Sequence, residues 1–198
     1  MIKEQVDYYR QIGQRFEWKV YSYDQPSNLI ELLEDEGFMN DGPEALMVMD
    51  TSKTNLLKVE IPSEIKEITD RNGIEAIMKL EKTIWNDPLK GLGERLWRDK
   101  QRNEESLFLY GAYADSQLVS AAWMYLEGQS SFASLWGGST LANHRGKGHY
   151  TGLLAIRARK AVEMGHPVLM VDASPMSKPI LEKNGFECLA YSYGLQSP

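Results

Sequence analysis

Two hydrophobic periods run along this chain. Between Asn72 and Trp85, Ile74, Ile77, Met78, Leu80, Ile84 and Trp85 recur at helical spacing, which predicts an amphipathic helix. Alternating or continuous apolar runs at Ser106–Tyr113, Gln117–Leu126 and Ser131–Thr140 predict three strands, joined by turns at Asp115-Ser116 and Gly128-Gln129. Further along, a helix is expected over His149–Met164, stopped by Gly165. A strand then spans Val168–Asp172, a helix Pro175–Lys183 ends at Asn184-Gly185, and a last strand covers Phe186–Gly194. Asp87-Pro88 breaks the first of these helices, and Gly93–Asn103 predicts another.

The first fifty residues carry a smaller set. Val6–Gln14 reads as a helix, Phe16–Tyr23 as an aromatic strand, Asn28–Glu36 as a helix ending at Gly37, and Ala45–Met49 as a short strand. Thr51–Asn55 is the expected linker, and Lys58–Ile61 opens a second unit. One segment echoes another. Asp24 is followed by a helix and Gly37-Phe38, Asp172 by a helix and Gly185-Phe186, with 14 positions from Asp to Phe in both. The echo suggests that the first unit is a degenerate half-copy of the second. Meandering strands followed by β-loop-helix-β-helix-β predict an α/β fold with a mixed sheet, antiparallel at one end, in the α+β sense of mixed order.

Composition narrows the function. The chain has 198 residues, 42% of them apolar, and no stretch approaches the ~20 apolar residues that span a bilayer. A net charge of −6 disfavours nucleic acid as a partner. The single cysteine, Cys188, fits a small apolar strand residue in a reducing compartment. With a polar N-terminal segment, this leads to the expectation of a cytoplasmic protein. Charge is unevenly spread: Leu29–Ser52 has seven acids and no Lys or Arg, whereas Asn143–Val162 has five basic residues and no acid. Arg157, Arg159 and Lys160 read as a solvated helix face. Arg145 and Lys147 flank glycines and read differently.

Arg145-Gly146-Lys147-Gly148 lies between a strand and a helix. Glycines permit tight turns and close ligand approach. The first helical turn leaves free N–H groups at the positive end of the helix dipole. Together they form a cradle suited to a pyrophosphate. The sequence lacks the Gly-x-x-x-x-Gly-Lys-Ser/Thr of a Walker A loop. It also fits a dinucleotide fingerprint poorly, since Thr151 stands at the third glycine position and Gly152 falls one residue late.

Arg145-Gly-Lys-Gly148-His-Tyr150 resembles the phosphate loop of the GNAT superfamily of N-acetyltransferases, Gln/Arg-x-x-Gly-x-Gly/Ala, with Tyr150 departing at the last position. Val171 through Phe186 resembles that family's strand-helix-Gly-Phe tail. The resemblance implies a GNAT-like acyl-CoA transferase fold over residues 56–198, preceded by a small N-terminal α/β half-domain, a degenerate half-GNAT-like unit, over residues 1–55. It implies acetyl-CoA as acyl donor and direct ternary-complex transfer to an amine, borne by a small molecule or a peptide. Backbone groups of Leu141 and Ala142 would contact the pantetheine arm. The N–H groups of Arg145, Gly146, Lys147, Gly148, His149, Tyr150 and Thr151 would hold the pyrophosphate. Ser174, with Ser177, would stand where a family Asn contacts the cofactor. The family's tyrosine acid is replaced by Leu181, which cannot donate a proton. A homodimer is compatible with this resemblance.

For catalysis the candidates are Glu81 and Glu127 as bases and Tyr150 as a stand-in acid, with Tyr191 and Tyr193 behind it. The plainer reading of each carboxylate is a solvated surface group. Asp172 reads as a cap of the following helix. His144 and His149 read as exposed loop residues, and no metal-ligand spacing is visible. Trp85, Trp97, Trp123, Tyr125 and Trp136 divide between core and a possible acceptor pocket. The alternative to an enzyme is a non-catalytic acyl-CoA sensor or partner-binding module on the same scaffold.

Overall fold

The computed structural model describes residues 1–86 and 91–198. The Asp87-Pro88 break lies outside the described residues. The chain forms two compact units: Met1–Val48 with Val171–Pro198, and Met49–Met170.

The larger unit contains β3 (Ile65–Ile68), α3 (Arg71–Trp85), α4 (Leu92–Arg102), β4 (Leu107–Ala114), β5 (Gln117–Leu126), β6 (Phe132–Thr140), α5 (His149–Glu163) and the first half of β7 (Val168–Ala173). β3, β4, β5 and β6 pair antiparallel in that order. Asp115 and Ser116 both take positive φ, 48° and 63°, as a two-residue hairpin turn with right-handed strand twist requires. β7 joins β6 in parallel through Phe132↔Val168, Ala133↔Leu169 and Ser134↔Met170 only. A parallel pair needs a crossover, and α5 supplies it.

α3 starts where the Asp70 carboxylate accepts from the Gly73 N–H at 2.7 Å, a side-chain cap. Its buried Ile74, Ile77 and Leu80 pack with Leu96 of α4 and with Leu107, Leu109, Ala121 and Trp123. The alternate residues of β4 face α5. The Lys160 ammonium lies 5.5 Å from the Phe108 ring centroid, and Tyr110 is buried. The two helical layers therefore cover opposite faces of this sheet.

The smaller unit contains α1 (Ile2–Gln11), β1 (Glu17–Tyr21), α2 (Leu29–Asp35), most of β2 (Met39–Asp50), α6 (Lys178–Lys183) and β8 (Glu187–Gln196). β8 pairs antiparallel with both β1 and β2. The echo in the sequence is an echo in hydrogen bonding. Phe38 N–H donates to Leu33 O and Phe186 N–H to Leu181 O, each at 3.1 Å. Gly37 and Gly185 take φ 89° and 94°. Leu33, Phe38, Leu181 and Phe186 are all buried. Each helix thus ends in a left-handed glycine with its last carbonyls satisfied.

β2 is far longer than the Ala45–Met49 expected, and the Thr51–Asn55 linker begins as a short 3-10 turn, Thr51–Lys53. A second 3-10 turn spans Leu56–Lys58, and β3 starts at Ile65. Cys188 is exposed rather than packed. No helix among the described residues is long and apolar enough to cross a membrane.

Candidate functional site

The site is built around an irregularity in β6. The register passes from Ala121↔Ser139 to Ala122↔Gly137, leaving Gly138 without an opposite residue. Such a bulge bends the strand and reverses side-chain parity beyond it. Gly137 and Gly138 have φ 70° and 90°. A Cβ on Gly137 would lie 2.8 Å from Trp123 Cε3, and one on Gly138 2.9 Å from Tyr150 Cε2. Only glycines fit between an indole on one face and a phenol on the other.

Arg157 holds this region from α5. Its Nη1 donates to the carbonyls of Trp123 (3.1 Å) and Trp136 (3.3 Å), and its Nε to Leu153 O (3.0 Å). The expected solvated position is therefore wrong for Arg157, which is 2% exposed. Burial lowers its pKa to about 10. Arg159 stays exposed, as expected, while donating to Leu57 O at 3.0 Å and to Val59 O. An Arg157→Met variant should lose about 2–4 kcal/mol in urea unfolding, since buried carbonyls would stay unpaired.

Beyond β6 the chain makes a 3-10 turn, Ala142–His144, then the Arg145–Gly148 loop. Gly146 and Gly148 take φ 73° and 85°, and Gly148 is the N-cap of α5. The amides of Gly146, Lys147, Gly148, His149, Tyr150 and Thr151 meet no acceptor among the described residues. The Gly152 N–H is the first to close a helical bond, to Gly148 O at 2.9 Å. A Cβ at Gly146 or Gly148 would meet nothing within 4 Å, so the space beside these two glycines is open. Arg145 N–H turns back weakly to Ala142 O (3.3 Å), and its side chain donates to Thr140 O at 3.2 Å. Leu141 N–H is committed to Val119 O at 3.0 Å. Of the two residues expected to contact a pantetheine arm, Ala142 alone keeps a free donor among the described residues.

His149 is buried, 7% exposed, against the expectation of an exposed loop residue. Its ring centroid lies 6.3 Å from that of His144. Tyr150 is half-buried, and burial raises its phenol pKa against the opposing charge of Arg157.

Glu81 corrects a second expectation. It is 2% exposed, on α3 beside the bulge. Ser139 Oγ donates to Glu81 Oε2 at 2.8 Å and accepts from Trp85 Nε1 at 3.1 Å. Glu81 Oε1 has no partner among the described residues. Burial raises its carboxyl above the ordinary range, with Ser139 and Trp85 pulling the other way. Glu127 is exposed, as the plainer reading held; Ser134 Oγ donates to it and accepts from Trp136 Nε1 at 3.0 Å. The structure brings Glu81, Ser139 and Trp85 together and groups Glu127 with Ser134 and Trp136. Tyr150 sits on the opposite sheet face. Trp97 packs on the core beside Trp123, and the Tyr125 hydroxyl donates to Asp99 at 3.1 Å.

The remaining candidates belong to the smaller unit. Ser174 and Ser177 hydroxyls are 3.2 Å apart. Asp172 caps no helix: it accepts from Lys19 Nζ at 2.5 Å and from Ser192 Oγ at 3.3 Å. Tyr191 accepts from Lys178 Nζ at 3.1 Å. Leu181 is core, 1% exposed.

Neither a protein-family model nor a curated sequence matches the chain. Solved structures do. A GCN5-related N-acetyltransferase from Kribbella flavida superposes with TM-score 0.70 at 14% identity, over 97% of this chain and 72% of its own. The chain has the GNAT fold. A functionally unknown conserved protein from Staphylococcus epidermidis gives TM-score 0.70 at 13% identity, over 100% and 81% of the two chains. A predicted acetyltransferase from Clostridium acetobutylicum, solved with acetyl-CoA, gives TM-score 0.54 at 18% identity over 63% and 90%. At these identities the likeness concerns the fold, whose mixed α/β sheet agrees with the architecture above.

Proposed function

We propose that this protein is an acetyl-CoA-dependent N-acetyltransferase that moves an acetyl group to an amine by direct transfer in a ternary complex. The observation that carries the reading is the run of amides from Gly146 to Thr151 at the start of α5, unpartnered among the described residues, with open space beside Gly146 and Gly148. Free N–H groups at a helix N-terminus favour a diphosphate, and Arg145 and Lys147 add charge at its rim. The GNAT fold and a neighbour solved with acetyl-CoA support the choice of ligand.

Bound acetyl-CoA would supply an activated acetyl thioester, whose C–S bond breaks as the new C–N bond forms. Glu81 is the proposed base, taking the proton of the incoming ammonium through water at Oε1, the buried oxygen without a partner among the described residues. A carboxylate raised by burial is matched to that task. Ser139 and Trp85 hold its other oxygen. Ala142 N–H is the available donor for a developing oxyanion. Tyr150, kept protonated by burial, is the proposed donor to the leaving thiolate in place of Leu181, and the second N–H proton, released as the amide forms, returns to Tyr150 through solvent. Glu127 orients Trp136 through Ser134. Ser174 and Ser177 remain proposed contacts of the cofactor arm. A cytoplasmic setting suits this chemistry and the lone Cys188. Residues 1–55 are proposed as the degenerate half-GNAT-like unit and 56–198 as the acetyltransferase domain, supported by the matched helix ends at Gly37 and Gly185.

Acetyl-CoA at 100 times its Kd should stabilise the protein by about 2.7 kcal/mol, seen as a rise in melting temperature. Thiol release with a panel of amines should follow. No shift at millimolar acetyl-CoA would overturn the reading. Leu181 at the family's acid position supports a second reading, a non-catalytic acyl-CoA sensor; a thermal shift without thiol release from any amine would select it.

A further inference from the structure

In the larger unit, two hydrogen-bonded chains of the same type flank the β6 bulge. Trp85 Nε1 donates to Ser139 Oγ, which donates to Glu81. Trp136 Nε1 donates to Ser134 Oγ, which donates to Glu127. Indole N–H, serine hydroxyl and carboxylate follow one another in both.

Register shows that the two chains share a face. Ser134 stands opposite Tyr125, Trp136 opposite Trp123, and Ser139 opposite Ala121. Directly opposed residues of an antiparallel pair point to the same side. Trp123 and Ala121 are buried in the α3/α4 core, with Tyr125 packed against it. Gly138 makes this possible. Without the extra residue, position 139 would face away from 134 and 136.

On that face the two indoles stand out. Trp85 is 58% exposed and Trp136 50%, the highest values among large apolar side chains of this unit's described residues. Their N–H groups are already bonded, which tethers each exposed indole at its edge. Fixed, exposed indoles beside carboxylates suit a cation.

We propose that Trp85 and Trp136 form the recognition surface for the acceptor, and that the acceptor is a primary alkylammonium ion rather than an uncharged arylamine. This rests on the acetyltransferase reading above. The indole rings receive the cationic head, and the exposed Glu127 carboxylate supplies the complementary charge at the surface. The cation is recognised at the surface before it gives its proton to Glu81. An arylamine, neutral near pH 7, gains nothing from either element.

The test is steady-state acetylation monitored by thiol release. Simple alkylamines, phenethylamine and a lysine amide are compared with anilines, for the wild type, Trp85→Leu, Trp136→Leu and the two Trp→Phe variants. Each Trp→Leu change should raise the KM for alkylamines by roughly 3- to 30-fold, with the KM for acetyl-CoA unchanged. Trp→Phe should fall between, because a ring without the N–H keeps π-surface but loses its tether. Unchanged alkylamine KM in both Leu variants, or a wild-type preference for anilines, would overturn the inference while acetyl-CoA binding still stood. Loss of acetyl-CoA binding by the wild type would instead overturn the acetyltransferase reading. Acetyl-CoA thermal shifts on every variant report folding, so a misfolded Leu variant is replaced by its Phe counterpart for the comparison.

Discussion

A Gly148→Asp variant is expected to fold and to lose acetyl-CoA binding by about 100-fold or more, equivalent to ~2.8 kcal/mol. Gly148 has φ 85°, a conformation that costs an L-residue about 1–2 kcal/mol. Aspartate is among the residues that bear it best, and its carboxylate is also a preferred N-cap. Open space surrounds the position, so the new side chain meets no steric barrier. These effects nearly offset one another in the fold. They do not offset in binding. The carboxylate would take the amides that the pyrophosphate needs and repel it at close range. Gly148→Ala carries the backbone strain without the charge and should bind with a much smaller loss. Calorimetric titration with acetyl-CoA, alongside circular dichroism, separates the two. Normal binding by Gly148→Asp would mean that the ligand lies elsewhere.

Glu81→Gln is expected to lower kcat by about 10²- to 10⁴-fold while raising stability at neutral and alkaline pH. The glutamate is 2% exposed, and burial raises its carboxyl above the unfolded value. The folded state therefore binds this proton more tightly than the unfolded chain. Its contribution to stability is full at acid pH, below the unfolded value, and is lost as pH rises through the folded one. Glutamine still accepts from Ser139 but never ionises. The variant's melting temperature should exceed that of the wild type at pH 8, and the gap should close toward pH 4. A gain in stability joined to a loss of turnover marks a group retained for chemistry. Unchanged kcat would remove Glu81 from the reaction, and a lower melting temperature at pH 8 would show that its charge is compensated in the fold.

The local signals in the sequence carried much of this. Glycines at 146 and 148 before an amphipathic run marked the turn into α5. The helical period of Ile74, Ile77 and Leu80 placed the core face of α3. What stayed hidden depended on long-range pairing. β3 is only Ile65–Ile68, with both isoleucines buried and Lys66 and Glu67 exposed between them; too short and not alternating, it gave no strand pattern. The register skip at Gly138 breaks the alternation of β6, so nothing in the string shows that Ser139 shares a face with Trp136. Burial of Glu81 and Arg157 is decided by partners 58 residues or 34 residues away in the chain, Ser139 and Trp123. In both cases the charge pattern along a helix pointed outward, while the side chain was drawn in to the irregular backbone of β6.

Whether main-chain amides from Gly146 to Thr151 grip a diphosphate is read by titrating acetyl-CoA into ¹⁵N-labelled protein and following each amide by nuclear magnetic resonance. Large, saturable downfield proton shifts are expected at Gly146, Gly148 and their neighbours, absent in Gly148→Asp. Saturable binding that leaves those amides unmoved, or no binding at millimolar acetyl-CoA, would contradict that grip.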